Sequence, residues 1–173
     1  MMVWEWLNPA PTIRTPSWLV RYTQDRDLWT WNLPDSKAVS AFLRTQPFTF
    51  EAWDNLDTMI RVCPVMWNSI VTQGNAILAA ESQTMKQHVR HAVPIELDGF
   101  KGLAVNATTL MSEIGEQLAL KSDFGATWFV TGDGVKRWSL RSRKNGVDVS
   151  ALAKRRGGGG HKQAAGFEER VSS

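Results

Sequence analysis

A run of four glycines, Gly157 to Gly160, stands between a basic stretch, Lys154 to Arg156, and a histidine, His161. Glycine has no side chain, so such a run suits a backbone that turns through positive φ or approaches a ligand closely. Exposed N–H groups, cations and an imidazole are together the groups that bind a phosphate. A flexible linker is the alternative, but a predicted helix and a predicted apolar strand flank the run. The pattern therefore predicts an anion site.

Two arginines, Arg141 and Arg143, alternate at the end of a predicted strand, so their side chains are expected to share one face. A guanidinium binds phosphate through a fork of N–H donors. Charged residues at a sheet edge can instead serve only to prevent aggregation. Spacing alone leaves both interpretations open.

Positive charge is concentrated around the glycine run. Residues 136–173 contain ten Lys and Arg against three Asp and Glu, a net charge of +7, whereas the remainder has ten basic and fourteen acidic residues, a net charge of −4. This asymmetry favours an anionic ligand near the run. A solvated basic surface is the alternative.

Other candidates for chemistry carry weaker patterns. Asp25 and Asp27 lie among tryptophans, where they can satisfy a turn or pair with neighbouring arginines. His88 and His91 are one turn apart on a predicted helix, where a capping role is favoured because cations suit helix C-termini. The single cysteine, Cys63, excludes an internal disulfide.

The elements that must position these groups divide the chain into three parts. Residues 1–63 are predicted to form short helices and loops, and residues 64–91 a long connecting helix with apolar residues at three- and four-residue spacing. Residues 92–173 are predicted to form a small domain with a mixed or antiparallel sheet. The predicted fold class is α+β.

Turn signals organise the last part. Asp98-Gly99 predicts a hairpin between strands at 93–97 and 102–107, and residues 132–134 predict a second between 127–131 and 136–141. Helices are predicted at 109–121 and 151–155, and a last strand at 166–171.

Composition indicates a globular chain, with 43% hydrophobic and 21% charged residues. No apolar run reaches the length of a membrane span, and the start of the chain does not resemble a signal peptide, so we predict a cytoplasmic protein that contacts no membrane. Five of the nine tryptophans precede residue 32, so we expect this region to pack on itself, to self-associate or to bind a partner.

The segment GGGGHKQAAGF, from Gly157 to Phe167, resembles the signature of the DHHA1 domain, the substrate-binding half of the DHH family of phosphoesterases. Residues 139–156 are similar to the family's segment before its glycine run. Residues 21–36 and 46–54 are similar to its linker region. Alanyl-tRNA synthetases contain a related glycine-rich domain, but the segment DRDLW favours a phosphoesterase.

The resemblance implies a set of functional residues. Its histidine and its strand-end arginine contact substrate phosphate, and an aspartate of the linker region joins a two-metal cluster, usually of Mn²⁺. Asp25 is the matching metal ligand and Asp27 the alternative, each only with a complete DHH domain. The implied phosphate-binding residues are Arg141, Ser142, Arg143, Gly157, Gly158, Gly159, Gly160 and His161.

The Asp-His-His motif that supplies the family's other metal ligands does not occur in this sequence. The resemblance therefore implies the substrate-binding portion of an enzyme that hydrolyses phosphodiester bonds in short oligonucleotides or nucleotides, inactive alone and without bound metal. The expected ligand is a short oligonucleotide, a nucleotide or a cyclic dinucleotide, and a DHH-bearing protein is the expected catalytic partner. A stand-alone nucleotide-binding module and a degenerate protein without activity are the alternatives.

Overall fold

The protein is described from a computed structural model that covers residues 16–171. Within that range the helices are α1 (Trp18–Asp27), α2 (Ser36–Leu43), α3 (Phe50–Val62), α4 (Met66–Arg90), α5 (Met111–Ala119) and α6 (Val149–Lys154). The strands are β1 (Val93–Leu97), β2 (Phe100–Asn106), β3 (Phe124–Val130), β4 (Val135–Arg141), β5 (Gly159–His161) and β6 (Ala164–Arg170). The predicted α+β class, with helices first and a small mixed sheet last, is confirmed.

The chain forms two compact units, one ending at Ala80 and one beginning at Glu81. The division falls inside α4, which begins two residues after the start and ends one residue before the end of the predicted range 64–91. At 1.5 Å per residue, a helix of 25 residues is about 37 Å long. Among the described helices, none combines the length and apolarity needed to cross a membrane.

The first unit is held together by the apolar faces of its helices. Val39, Phe42 and Leu43 recur at three- and four-residue spacing on α2 and are buried with Leu56 of α3 and Ile70 of α4. The hydroxyl of Thr49 accepts a hydrogen bond from the N–H of Ala52 at 3.2 Å, so it caps α3 as its position predicts. Phe48 and Phe50, beside this cap, are 96% and 92% exposed.

The second unit is built on one six-stranded sheet with the order β1-β2-β3-β4-β6-β5. Strands β2 and β3 are parallel and every other pair is antiparallel, so the sheet is mixed. The β1–β2 hairpin turns at Asp98 and Gly99, whose φ angles of 53° and 84° are those of a primed two-residue turn.

Each sheet face carries one helix. On the α6 face, Val149, Leu152 and Ala153 pack against alternate strand residues, which include Ala126, Leu140 and Phe167. On the α5 face, Ile114 and Leu118 pack against Val105. Helix α5 lies close to β3 because neither Gly125 nor Gly115 has a side chain, and a Cβ at Gly125 would lie 1.9 Å from the carbonyl oxygen of Gly115.

Candidate phosphate-binding site

The first half of the glycine run ends helix α6. Gly157 has a φ of 76°, the left-handed conformation that commonly closes a helix. Its N–H donates to the carbonyl of Lys154 at 3.1 Å, and the N–H of Gly158 donates to that of Ala153 at 2.9 Å. A Cβ at Gly158 would lie 2.1 Å from the carbonyl oxygen of Gly166. These two glycines therefore serve the fold, and their N–H groups are already used.

The second half of the run forms the edge strand β5. Gly159, Gly160 and His161 pair with Gly166, Ala165 and Ala164, and Lys162 and Gln163 form the turn to β6. Because β5 is the last strand of the sheet, it has no strand partner on the side away from β6. Gly159 is exposed, its φ is not positive, and no atom lies within 4 Å of where its Cβ would be.

The strand register places Arg141 and His161 in one row on the α5 face. Arg141 pairs with Ala164, and Ala164 pairs with His161, so their three side chains share a face. Two strand spacings separate the outer members by about 10 Å between Cα atoms. A guanidinium and an exposed imidazole thus flank the methyl group of Ala164.

Arg141 is half-buried and held by neutral groups. Its Nη1 donates to Ser139 Oγ at 3.0 Å and to the Leu140 carbonyl at 2.9 Å, and its Nη2 donates to Ser112 Oγ at 2.6 Å. The stem of the side chain lies against Gly115 of α5, where a Cβ would be 3.0 Å from Arg141 Cγ. Helix α5 and strand β4 together fix where the charge points.

Part of this guanidinium remains available. It has five N–H donors, so the bonds within residues 16–171 leave the Nε hydrogen and one Nη2 hydrogen for a ligand. None of the ion pairs among these residues involves Arg141. Burial lowers the pKa of Arg141, and the charges of Glu113 and Glu116 act in the opposite direction. An anion that binds here would offset the cost of desolvating the cation.

The two neighbours of Arg141 in the predicted site lie outside the strand. The N–H of Ser142 donates to the Gln163 carbonyl at 3.1 Å, and its hydroxyl donates to the Lys162 carbonyl at 3.4 Å, which ties it to the β5–β6 turn. Strand β4 ends at Arg141, and Arg143 is exposed in the loop that follows. Arg143 therefore lies beyond the strand alternation from which a shared face was expected, and its role at the site stays a prediction.

Asp25 is buried in the first unit and organises the segment after α1. One carboxylate oxygen accepts bonds from the Thr30 hydroxyl at 2.6 Å and the Asn32 N–H at 2.9 Å. The other accepts bonds from the Leu33 N–H at 3.2 Å and the Ser36 hydroxyl. Burial alone would raise the pKa of Asp25, but these four hydrogen bonds lower it to about 2.

The hydrogen bonds of Asp25 occupy the lone pairs that a metal ion would need. Asp27 is exposed, and its carboxylate oxygen Oδ1 lies 4.0 Å from Nη1 of Arg26. Within the described residues, no three His, Cys, Asp or Glu side chains come together as a candidate metal site. The Nδ1 of His88 forms a hydrogen bond of 3.0 Å with the Thr84 carbonyl of its own helix. The arrangement of Asp25 therefore does not fit a manganese ligand, and the assignment from the resemblance stays a prediction.

Sequence reasoning missed the residues that anchor Arg141. Ser112 lies 29 positions before it on a different element, and no local pattern marks that contact. Ala164 and Gly166 belong to the segment that follows His161 in the sequence motif. Their position beside Arg141 and Ser139 follows only from the register of β4 and β6. Trp4 and Trp6, two of the five early tryptophans, lie outside the described residues.

Comparisons with known proteins identify a similar fold but no family. No family model matches the chain. A curated relative, the uncharacterized protein R106 of Acanthamoeba polyphaga mimivirus, is 27% identical over 176 residues, which cover 96% of this chain and 39% of that protein. The chain thus spans well under half the length of this relative.

Among solved structures, the chain is similar to the pGpG-specific phosphodiesterase PggH from Vibrio cholerae, with a TM-score of 0.53 and 10% identity. That match covers 96% of this chain and 66% of the other. An uncharacterized protein from Helicobacter pylori G27 matches with a TM-score of 0.35 and 19% identity over 88% of this chain and 43% of the other. The chain therefore has a fold similar to that of PggH over 96% of its length.

Proposed function

We propose that residues 92–171 bind the phosphate of a nucleotide or short oligonucleotide, as the substrate-binding portion of a phosphodiester-hydrolysing enzyme of the DHH/DHHA1 type. The observation that carries the proposal is the row formed by Arg141, Ala164 and His161. In this row, the half-buried Arg141 has free N–H donors and no ion-pair partner among the described residues. The exposed imidazole of His161 lies on its far side, across Ala164.

The chemistry of this row suits a phosphate better than a carboxylate. A phosphate oxygen accepts the two remaining hydrogens of Arg141, and a second oxygen faces His161 across Ala164. The contribution of Gly159 is room for the ligand, since it leaves its part of the α5 face without a side chain.

The similarity to PggH supports the hydrolytic half of the proposal only as analogy, because a shared fold does not establish a shared activity. Cleavage would need a metal-activated water, and the described residues supply phosphate-binding groups rather than a metal site. On this view, hydrolysis depends on a DHH-type metal domain. A nucleotide-binding module without catalysis would use the same row in the same way.

The proposal is tested by titrating the full chain with a fluorescently labelled dinucleotide and following anisotropy. Replacing Arg141 by Ala removes a charge-assisted fork, and we expect affinity to fall about tenfold to hundredfold. Gly159→Val places a side chain where the ligand must approach and should cost a similar factor without changing the charge.

A matched control for the second variant is Gly132→Val in the β3–β4 turn. Gly132 also lacks a positive φ, and no atom lies within 4 Å of where its Cβ would be. It lies in a turn and is paired with none of the residues of the phosphate row. We expect it to bind like the unmodified chain. If Gly132→Val and Gly159→Val weaken binding equally, or if neither Gly159→Val nor Arg141→Ala weakens it, the proposed phosphate site is wrong.

A further inference from the structure

A cleft of about 470 Å³ opens on the α5 face next to the proposed phosphate row and does not include Arg141 or His161. Its lining includes Met111, Phe129, Arg137, Gly158, Gly166 and Glu168. This volume lies within the range of small-molecule sites. The cavity therefore adjoins the phosphate row but is lined by none of its three residues.

The strand register arranges the α5 face in three successive rows. The first is the phosphate row of Arg141, Ala164 and His161. The second contains Ser139, Gly166 and Gly159, and the third contains Phe129, Arg137 and Glu168. Neighbouring rows are two residues apart along each strand, which is about 7 Å.

The residues change in character from row to row. The middle row is a floor with little side-chain bulk, because Gly166 and Gly159 have no side chains and Ser139 has a small one. The third row has the partly buried aromatic ring of Phe129 and an ion pair in which Arg137 Nε lies 3.0 Å from a Glu168 carboxylate oxygen. Met111, at the start of α5, adds an apolar thioether to the wall.

We infer that this cleft is a nucleobase subsite, in which Phe129 and Met111 contact the face of the base and the Arg137–Glu168 pair contacts its polar edge. The inference rests on the proposed function, since it assumes that the phosphate lies in the first row. The three rows then follow the order in which a nucleotide presents its phosphate, sugar and base. Stacking on aromatic side chains is a usual way to bind bases without strict sequence preference.

The test compares three ligands on the full chain by isothermal titration calorimetry: adenosine 5′-monophosphate, ribose 5-phosphate and inorganic phosphate. All three carry the phosphate, and only the first carries a base. We expect the nucleotide to bind about fivefold to hundredfold more tightly than ribose 5-phosphate, the range that stacking of one base provides.

Phe129→Leu keeps an apolar side chain in β3 but removes the aromatic face. We expect it to abolish most of that difference while leaving the affinity for ribose 5-phosphate unchanged. Phe100→Leu, at a 41% exposed phenylalanine of β2, is the matched control and should change neither affinity.

The outcomes separate the two claims. Equal affinity of the nucleotide and ribose 5-phosphate for the unmodified chain would overturn the base subsite and leave the phosphate site standing. A base-dependent difference that Phe129→Leu does not reduce would also overturn it, because the base would then bind elsewhere. If none of the three ligands binds, the proposed phosphate site fails, and the base subsite fails with it.

Discussion

The two units each contain a charged side chain that the sequence marks as a candidate functional group, and the structure treats them differently. In the first unit, Asp25 accepts four hydrogen bonds from its own chain, two on each oxygen. In the second, Arg141 donates three bonds to neutral groups and keeps two donors. A charge whose bonding capacity is filled internally stabilises the chain, whereas one left partly unfilled can still bind a ligand.

The largest effect expected from this comparison is a loss of stability at Asp25. Asp25→Ala would leave the N–H groups of Asn32 and Leu33 without their acceptor, and also the hydroxyl of Ser36, which is buried. Hydrogen bonds to a charged group contribute more than neutral ones, so we expect unfolding to become easier by about 3 kcal/mol. Urea denaturation of the full chain, followed by tryptophan fluorescence, measures this.

Asp27→Ala is the control for that measurement, because Asp27 is the other candidate metal ligand of the same segment. It is exposed and pairs only at 4.0 Å with Arg26, so its loss should cost about 0.5 kcal/mol or less. Equal effects of the two substitutions would contradict the view that Asp25 organises the segment after α1.

The next effect is the acid dependence of stability. The folded pKa of Asp25 is about 2, below its ordinary value of 3.8, so its stabilisation is fully present above the ordinary value and is lost as pH falls through the folded one. This corresponds to about 2 kcal/mol between pH 5 and pH 2. Denaturation at a series of pH values should therefore show a smaller loss of stability across this window for Asp25→Asn than for the unmodified chain. Parallel pH profiles of the two chains would exclude the assignment.

A smaller effect is expected on the stability of the second unit when its charge is removed. Arg141→Met keeps an apolar stem against Gly115 but loses three hydrogen bonds. Removing a half-buried cation without an ion-pair partner among the described residues offsets that loss, so the free energy of unfolding should change by about 1 kcal/mol or less. A destabilisation as large as that of Asp25→Ala would mean that Arg141 has a mainly structural role.

Local signals account for much of the fold. A primed two-residue turn needs two positive φ angles, so Asp98-Gly99 predicts its hairpin. The apolar spacing of residues 64–91 predicts α4 to within two residues at each end. The run before His161 predicts a backbone conformation that favours glycine, which Gly157 adopts. These features depend on residues close together in sequence.

The site depended on contacts that local patterns do not contain. The serine that anchors Arg141 is 29 residues away, and whether the N–H groups of Gly157 and Gly158 are free depends on how α6 ends. The donors to Asp25 come from positions 30 to 36, so the four hydrogen bonds to its carboxylate depend on how that segment folds. The sequence named the groups capable of chemistry, and the fold determined which of them kept capacity for a ligand.

The smallest effect expected is that of a cation beside the site but outside the row. Lys154 lies in the last turn of α6, exposed, and belongs to the basic stretch before the glycines. If binding reflects a shaped site, Lys154→Ala should weaken dinucleotide affinity by less than about threefold, because an exposed cation contributes only a screened long-range attraction. If binding reflects diffuse basic charge, it should cost as much as Arg141→Ala, since each removes one positive charge. Titrating both variants at low and moderate salt distinguishes these cases, because the Lys154 contribution should vanish as salt rises while the difference between Arg141→Ala and the unmodified chain persists.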